Sequence, residues 1–292
     1  MRTDRRFVDL HTHSTASDGT LSAAEVVALA DAASLAAFAL TDHDTTSGLA
    51  EARAAAASRP ALRFIPGVEV SARYSPGTMH ILGLGIDESS QPLRKLLAGF
   101  IDARDERNPR ILSKLHALGM DVGMDDVLAA AESFDPGRRH VIGRMHIAEA
   151  MRVKGYAQSI QDAFTRYLGS GGPAFVDKER LEPRGVIEGI IAGGGVAVLA
   201  HPVQLKIDEG QELEDYVRRL AGWGLGGIEV YHPDHSDQQT RRYLDLARRL
   251  GLLVTGGSDF HGAAKPGVEI GRPKVPLAAI TGPLAEILVG GL

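Results

Sequence analysis

The sequence predicts an α/β protein, a distorted seven-stranded (β/α)7 barrel that carries a small helical insertion. Short apolar runs alternate with alanine-rich helical stretches, which is typical of β/α units built around a mainly parallel sheet. A histidine, aspartate or glutamate stands at or near the end of nearly every apolar run. The residues from 91 to 168 break this alternation, because they contain helical patterns and no convincing strand.

Seven apolar runs are the predicted strands of the barrel. The first run ends at His11, and the others are Phe38–Thr41, Phe64–Val70, Met79–Ile86, Val196–Ala200, Gly227–Tyr231 and Leu252–Gly256. After the first run, Ser22 is followed three residues later by Glu25, a capping-box pattern that predicts the start of a helix. A second helix is expected from Gly48 to Ser58.

The predicted insertion is a group of helices between the fourth and fifth strands. Helical patterns cover Leu93–Leu118, Asp125–Ala131, Gly143–Val153 and Ile160–Leu168. A glycine-rich segment, Gly169-Ser170-Gly171-Gly172-Pro173, marks the return of the chain to the barrel. We therefore expect a barrel domain made of residues 1–90 and 169–292, with residues 91–168 lying over one end of it and capping the active site.

Composition excludes several classes of protein. The 292 residues include 32 basic and 37 acidic side chains, a formal net charge of −5, which argues against binding of long nucleic acids. The chain has 11 histidines and no cysteine, so disulfides, thiolate metal sites and a cysteine nucleophile are excluded. Any metal must be bound by nitrogen and oxygen ligands.

No targeting or membrane-spanning segment is expected. The start of the chain is charged, and the apolar run that follows is interrupted by Asp9, His11 and His13, whereas a signal peptide needs an apolar core of about 7–15 residues. The longest apolar stretch, Val186–Ala200, contains Glu188 and three consecutive glycines, so it is too short and too interrupted to span a bilayer. We expect a soluble cytoplasmic protein with no obligate protein partner.

Nine side chains near strand ends are candidate metal ligands. In Asp9-Leu10-His11-Thr12-His13 the two histidines project from the same side of an extended chain. The other candidates are Asp18, His43, Glu69, His80, His201, Asp259 and His261. The carboxyl ends of parallel barrel strands meet at one rim, where so many polar and charged groups require a compensating cation. The pattern therefore predicts a metal cluster.

Several of these segments resemble the signature of the PHP (polymerase and histidinol phosphatase) family. They are Asp9-Leu10-His11-Thr12-His13-Ser14, Ser17-Asp18-Gly19, Thr41-Asp42-His43-Asp44, Gly67-Val68-Glu69, Ala200-His201-Pro202 and Gly257-Ser258-Asp259-Phe260-His261. The match covers the whole chain outside the helical insertion. The resemblance implies a distorted seven-stranded barrel of the PHP type, with a trinuclear metal site and a place in the wider amidohydrolase-like group.

The resemblance also implies a division of the ligands among three divalent ions. His11, His13, Glu69 and Asp259 would bind the first ion; Asp18, His43 and His261 the second; and Glu69 would bridge to a third, held by His80 and His201. Many family members have a histidine at the position of Asp18. The harder oxygen ligand favours Mn²⁺, with Fe²⁺ and Zn²⁺ as alternatives.

The expected chemistry is hydrolysis of a phosphate ester by a metal-bound hydroxide. Asp259 or His201 would carry the proton. Arg144 opens a predicted helix of the insertion and Lys178 lies where the chain returns to the barrel, so both are candidate phosphate ligands. Three further histidines are placed where a substrate could reach them: His146, His232 and His235.

The expected substrate is a small phosphorylated molecule, because the acidic chain argues against long polymers. The resemblance implies removal of the 3′-phosphate from a nucleoside 3′,5′-bisphosphate, for example conversion of adenosine 3′,5′-bisphosphate to AMP and phosphate. A related activity is 5′→3′ exonucleolytic trimming of short oligonucleotides. The alternatives are histidinol-phosphate phosphatase and a non-catalytic binding module with the same fold.

Overall fold

The computed structural model describes residues 5–134, 142–169, 171–176, 181–208, 210–280 and 282–289. Its strands form one sheet, and each predicted strand is present. They are β1 (Phe7–Asp9), β2 (Ala37–Leu40), β3 (Arg63–Ala72), β4 (Met79–Leu84), β5 (Val196–Leu199), β6 (Gly227–Tyr231), β7 (Leu253–Gly256) and β8 (Val275–Pro276). The α/β barrel prediction is therefore confirmed.

The sheet differs from the prediction in its strand number and in the direction of two strands. Its order is β7-β6-β5-β4-β3-β2-β1-β8, and β8 is an eighth strand of two residues that pairs antiparallel with β1. A strand this short has no hydrophobic period, so the sequence pattern could not reveal it. β4 is antiparallel to both of its neighbours. The six residues between β3 and β4 cannot form the crossover that a parallel pair needs, so β4 runs back along β3.

Backbone hydrogen bonds beyond the ends of β1 and β7 draw the two sides of the sheet together. Leu10 N–H donates to the Gly256 carbonyl (3.1 Å), and Asp259 N–H donates to the carbonyl of His11 (2.9 Å). A Cβ at Gly257 would lie 2.4 Å from the Cβ of His11, so glycine permits this close approach. The sheet is thus nearly closed at the rim that carries His11 and Asp259.

The helices surround the sheet and also form the predicted insertion. They are α1 (Ala23–Ala32), α2 (Leu49–Ala57), α3 (Gln91–Ala117), α4 (Met124–Phe134), α5 (Arg144–Val153), α6 (Ile160–Ala163), which continues as a π-helical turn (Phe164–Leu168), α7 (Pro183–Ala192), α8 (Gln211–Gly222), α9 (Asp237–Leu250) and α10 (Gly282–Val289). The capping box of Ser22 and Glu25 is present at the start of α1, as predicted. None of the described helices is both long enough and apolar enough to cross a bilayer.

The barrel and the insertion have separate hydrophobic cores. Phe38, Val70 and Ile190 belong to the large core between the sheet and its helices. A second cluster, which includes Leu115 and Ile147, joins the end of α3 to α4, α5 and α6. The start of α3 packs in the barrel core through Leu93, Leu97 and Phe100, and the second cluster extends to Ala174 and Val176. The domain boundaries at residues 91 and 168 therefore stay a prediction.

Candidate active site

The predicted ligands converge at the rim of the barrel, in overlapping groups of histidine and carboxylate side chains. Within each group, one ligand atom from every residue lies within 4.8 Å of the others. The groups are His11, His13, Glu69 and Asp259; His13, Asp18, His43 and His261; and His43, Glu69 and His80. His201 completes the set, because its Nε2 is 2.9 Å from Oε1 of Glu69.

The first group is fully enclosed and has the spacing of ligands around one ion. Oε2 of Glu69 lies 3.2 Å from Nε2 of His11 and 3.2 Å from Nε2 of His13. Oδ1 of Asp259 lies 3.5 Å and 3.3 Å from the same two nitrogens. Four ligands in a tetrahedron of about 2.0–2.1 Å radius are about 3.4 Å apart, which agrees with these distances.

The second group lies beside the first and is more open to solvent. Oδ1 of Asp18 is 3.2 Å from Nε2 of His261, and Oδ2 is 3.7 Å from Nε2 of His43. Nδ1 of His13 also lies 3.7 Å from the Asp18 carboxylate. His13 therefore belongs to both the first and the second group, whereas the predicted division of ligands assigned it only to the first ion.

Glu69 connects the first group to the third with its two carboxylate oxygens. Oε1 is 2.9 Å from Nδ1 of His80 and 2.9 Å from Nε2 of His201. Oε2 faces His11 and His13, and it also lies 3.1 Å from Nδ1 of His43. A carboxylate with an imidazole group at each oxygen has the geometry of a bridging ligand.

The donor atoms at the centre of the site fit divalent metal ions. Nε2 of His11, Nε2 of His13 and Oε2 of Glu69 are buried and accept or donate no hydrogen bond within the described part of the chain. Buried polar atoms are normally hydrogen-bonded, so three that converge without such a bond indicate an intended partner. Nitrogen and oxygen donors of this kind suit Mn²⁺, Fe²⁺ and Zn²⁺.

Electrostatics at the site lead to the same conclusion. Burial alone would raise the pKa values of Asp18, Glu69 and Asp259, but the surrounding imidazoles hold all three well below their ordinary range. Burial also opposes protonation of His13, yet the carboxylates of Asp259 and Glu69 beside it raise the pKa to about 10. For His43 burial dominates and lowers the pKa to about 3. Ionised carboxylates in this enclosed site require imidazolium ions or bound metal cations.

The cavity above these ligands has two lobes that share Asp18, His43 and His80 as a common wall. The arginine lobe, about 290 Å³, is lined in addition by Arg107 and Arg144 from the insertion. The barrel lobe, about 340 Å³, is lined in addition by Glu69, Ile160, Gln161, His201, Asp259, His261, Ala264 and Lys265. Arg144 therefore lies on the wall of the cavity, while its role in binding phosphate stays a prediction. Arg107 is a second cation on this wall, and the sequence pattern did not reveal it.

The remaining predicted substrate residues occupy different positions. His232 is buried behind the cluster, with Nε2 3.4 Å from Oδ2 of Asp259. His235 packs on Tyr243, and its Nδ1 is 2.9 Å from the Val230 carbonyl. His146 is buried and its Nδ1 accepts a hydrogen bond from the Gly143 N–H, so it caps the start of α5. Their contacts with substrate stay predictions. Lys178 lies outside the described residues.

Comparison with known proteins places the chain in a family. A family model described as the PHP domain matches residues 9–230. The chain belongs to the PHP domain family. It is 36% identical to the 3′,5′-nucleoside bisphosphate phosphatase of Chromobacterium violaceum over 266 residues, which covers 91% of this chain and 90% of that protein.

Two further matches cover most of this chain. The 5′-3′ exoribonuclease of Haemophilus influenzae is 34% identical over 253 residues, covering 87% of this chain and 89% of the relative. The solved structure of an amidohydrolase from Chromobacterium violaceum, which holds sulfate and no metal, has a TM-score of 0.82 and 35% identity. That match covers 97% of this chain and 96% of the other.

Two buried carboxylates of the PHP site escaped the sequence reading. Oε1 of Glu229 lies 3.1 Å from Nδ1 of His11, and Oε2 accepts the backbone N–H of His201 at 2.8 Å. Asp9 accepts the backbone N–H groups of Ser258 (2.9 Å) and Gly271 (2.7 Å). The available signal was a single acidic residue inside each apolar strand, since such a residue needs a polar partner.

The backbone at two ligands is held in an uncommon conformation. His201 has φ +24° and Asp259 has φ +53°, which is the left-handed region that side chains other than glycine rarely adopt. Strain of this kind costs about 1–3 kcal/mol and persists where the surrounding structure fixes it. The hydrogen bond from the His201 N–H to Glu229 is one such restraint.

Glu229→Gln is expected to weaken metal binding by about 10–100-fold, the usual effect of removing a partner that orients a ligand. The amide keeps the size of the side chain but removes the charge that fixes the ring orientation and tautomer of His11. Calorimetric titration of the metal-free protein with Mn²⁺ measures the change in metal affinity. Glu188→Gln, an exposed position on α7, is the control. Unchanged affinity in Glu229→Gln would show that His11 needs no orienting carboxylate.

Proposed function

We propose that this protein removes the 3′-phosphate from nucleoside 3′,5′-bisphosphates. Its family, and relatives named as a phosphatase and an exoribonuclease, make it a metal-dependent phosphoric ester hydrolase. The observation that carries the finer proposal is the two-lobed cavity, because a wall of metal ligands adjoins a lobe with two arginines. Such a cavity suits a small substrate with a reacting phosphate and a second anionic group.

The chain's own residues bind and orient the substrate. Arg107 and Arg144 line the arginine lobe from two different helices, and guanidinium groups pair well with phosphate. This charge holds the phosphate that is not cleaved and directs the 3′-phosphate toward the ligand wall. Arg107 is largely buried and donates from Nε and Nη2 to Oδ1 of Asn108, which fixes its position. Met145 and Phe164 line both lobes and supply apolar surface for the nucleoside.

In the reaction the oxygen of water bonds to phosphorus, the bond from phosphorus to the 3′-oxygen breaks, and a proton goes to the leaving oxygen. Bound divalent ions supply a water of lowered pKa and neutralise charge on the phosphoryl group. Asp259, whose Oδ1 faces His11 and His13 and whose Oδ2 faces His232 and Lys265, is the first proton carrier of this proposal. His201, on the same lobe, is the second proton carrier of this proposal.

We also propose three divalent ions, one at each group of ligands, with Mn²⁺ preferred over Fe²⁺ or Zn²⁺. The oxygen ligand of Asp18 beside two imidazoles favours the harder ion. Metal analysis of the purified protein should therefore return about three ions per chain, and a chain that holds none would support a non-catalytic binding module instead.

A panel of phosphate esters tests the substrate. We expect kcat/KM for adenosine 3′,5′-bisphosphate to exceed that for histidinol phosphate by at least about tenfold, since only the bisphosphate offers one phosphate to the ligand wall and a second to the arginine lobe. Short oligonucleotides form a third arm, because one relative is named as a 5′-3′ exoribonuclease. Phosphate release from histidinol phosphate alone would replace our proposal with the histidinol phosphatase, and preference for oligonucleotides would replace it with the exonuclease.

A further inference from the structure

A lysine beside the cluster has no role in the function described above. Lys265 follows the short turn Gly262–Ala264, and its Nζ donates to Oδ2 of Asp259 at 2.8 Å. Its side chain is 31% exposed, and it lines the barrel lobe. No other lysine lines either lobe among the described residues.

The position of Lys265 is fixed by the loop that carries it. The Ala263 N–H donates to Oγ1 of Thr20 at 2.8 Å, and the Thr20 N–H donates to the carbonyl of His261 at 3.1 Å. Gly262 has φ +63°, and a Cβ there would lie 2.3 Å from Oγ1 of Thr20. Glycine is thus required for this contact, which holds the loop against the barrel and the lysine over the rim.

The ammonium group retains hydrogen-bonding capacity toward the cavity. A lysine ammonium has three donors, and Asp259 is the one hydrogen-bond partner of the Lys265 side chain within the described part of the chain. Asp259 itself faces His11 and His13 with Oδ1 and Lys265 with Oδ2. The two remaining donors are therefore available to an anion that reaches the wall of ligands.

We propose that Lys265 binds the phosphoryl group that is transferred to water. The substrate would then be bound at its reacting phosphate by a lysine in the barrel lobe and at its other phosphate by two arginines in the arginine lobe. This inference rests on the proposed phosphoesterase function. An ammonium placed against developing negative charge stabilises a phosphoryl transition state, and its hydrogen bonds to phosphate oxygens are charge-assisted. Lys265 thereby adds a contact at the reacting phosphate, distinct from the arginines that hold the other end of the substrate.

The test compares Lys265→Ala, Lys265→Arg and the control Lys95→Ala, an exposed position on α3. All are measured with saturating Mn²⁺. We expect Lys265→Ala to lower kcat/KM by about 10–100-fold and to weaken binding of inorganic phosphate, measured by calorimetry, by about tenfold or more. Lys265→Arg should recover part of both, since it keeps the charge, and Lys95→Ala should match the wild type.

A different role for Lys265 gives a different result. If it only positions Asp259, Lys265→Ala will weaken metal binding, excess Mn²⁺ will restore full activity, and phosphate affinity at saturating metal will equal that of the wild type. That result overturns the proposal, as does unchanged kcat/KM. The activity assay and phosphate calorimetry test the two hypotheses separately. A wild type inactive on every ester contradicts the proposed function, whereas equal phosphate affinity of the wild type and Lys265→Ala contradicts the role of Lys265.

Discussion

Glu69→Gln is expected to lower kcat/KM by about 10³-fold or more. The change removes an anionic ligand from the metals, and with the metals the protein loses the positive charge that stabilises the transition state. Glu69 faces His11 and His13 with one oxygen and His80 and His201 with the other. An amide of the same shape offers one weak oxygen ligand and one N–H₂ group that points at imidazole nitrogens. The variant should therefore lose bound metal from both groups that Glu69 connects.

Metal analysis and steady-state kinetics on the same preparations measure this loss. Glu188→Gln is a matched control, because Glu188 is exposed and pairs only with Arg184 among the described contacts. The charge balance adds a second expectation: with Glu69 neutral, the pKa values of the surrounding histidines fall, since burial is no longer opposed by this carboxylate. Full metal content and full activity in Glu69→Gln would show that it does not bridge two metal groups.

Much of the fold was readable because hydrophobic periodicity depends on local sequence. Each predicted strand is an apolar run, and Ser22 with Glu25 marks a helix start by side-chain chemistry that acts over three residues. The eighth strand was not readable, since Val275 and Pro276 pair with β1 across most of the chain length. The direction of β4 follows from a short connection, which a count of apolar runs does not consider.

The site was readable to the extent that each residue carries its own signal. His11 and His13 show the spacing of ligands on one strand, and strand ends bring distant motifs to one rim. Glu229 and Arg107 do not share this ligand spacing: Glu229 is a lone acid in a strand, which indicates only a polar partner, and Arg107 is one of many charges on a long helix. Their roles come from tertiary contacts, which place Glu229 against His11 and Arg107 on the cavity wall.

Arg144→Ala is expected to lower kcat/KM for adenosine 3′,5′-bisphosphate by about 10²–10³-fold while metal content stays at the wild-type value. Arg144 lines the arginine lobe, and its Nη1 donates to the Leu168 carbonyl at 3.2 Å. Its guanidinium also lies 5.4 Å from the ring centroid of Phe175 and 5.9 Å from that of Phe164. These contacts aim the side chain before substrate binds, so its loss removes a preorganised charge.

Because those contacts also stabilise the insertion, the experiment needs variants that separate binding from folding. Arg152→Ala removes an exposed arginine from the same helix, where it pairs with the largely buried Glu149, and should keep wild-type kinetics. Arg144→Lys keeps the charge but not the planar pair of donors, so it should recover only part of the activity. Thermal unfolding of each variant reports stability. Metal loss in a folded Arg144→Ala protein would mean that this arginine supports the ligands rather than the substrate, whereas an increase in KM with metal retained would assign it to the phosphate.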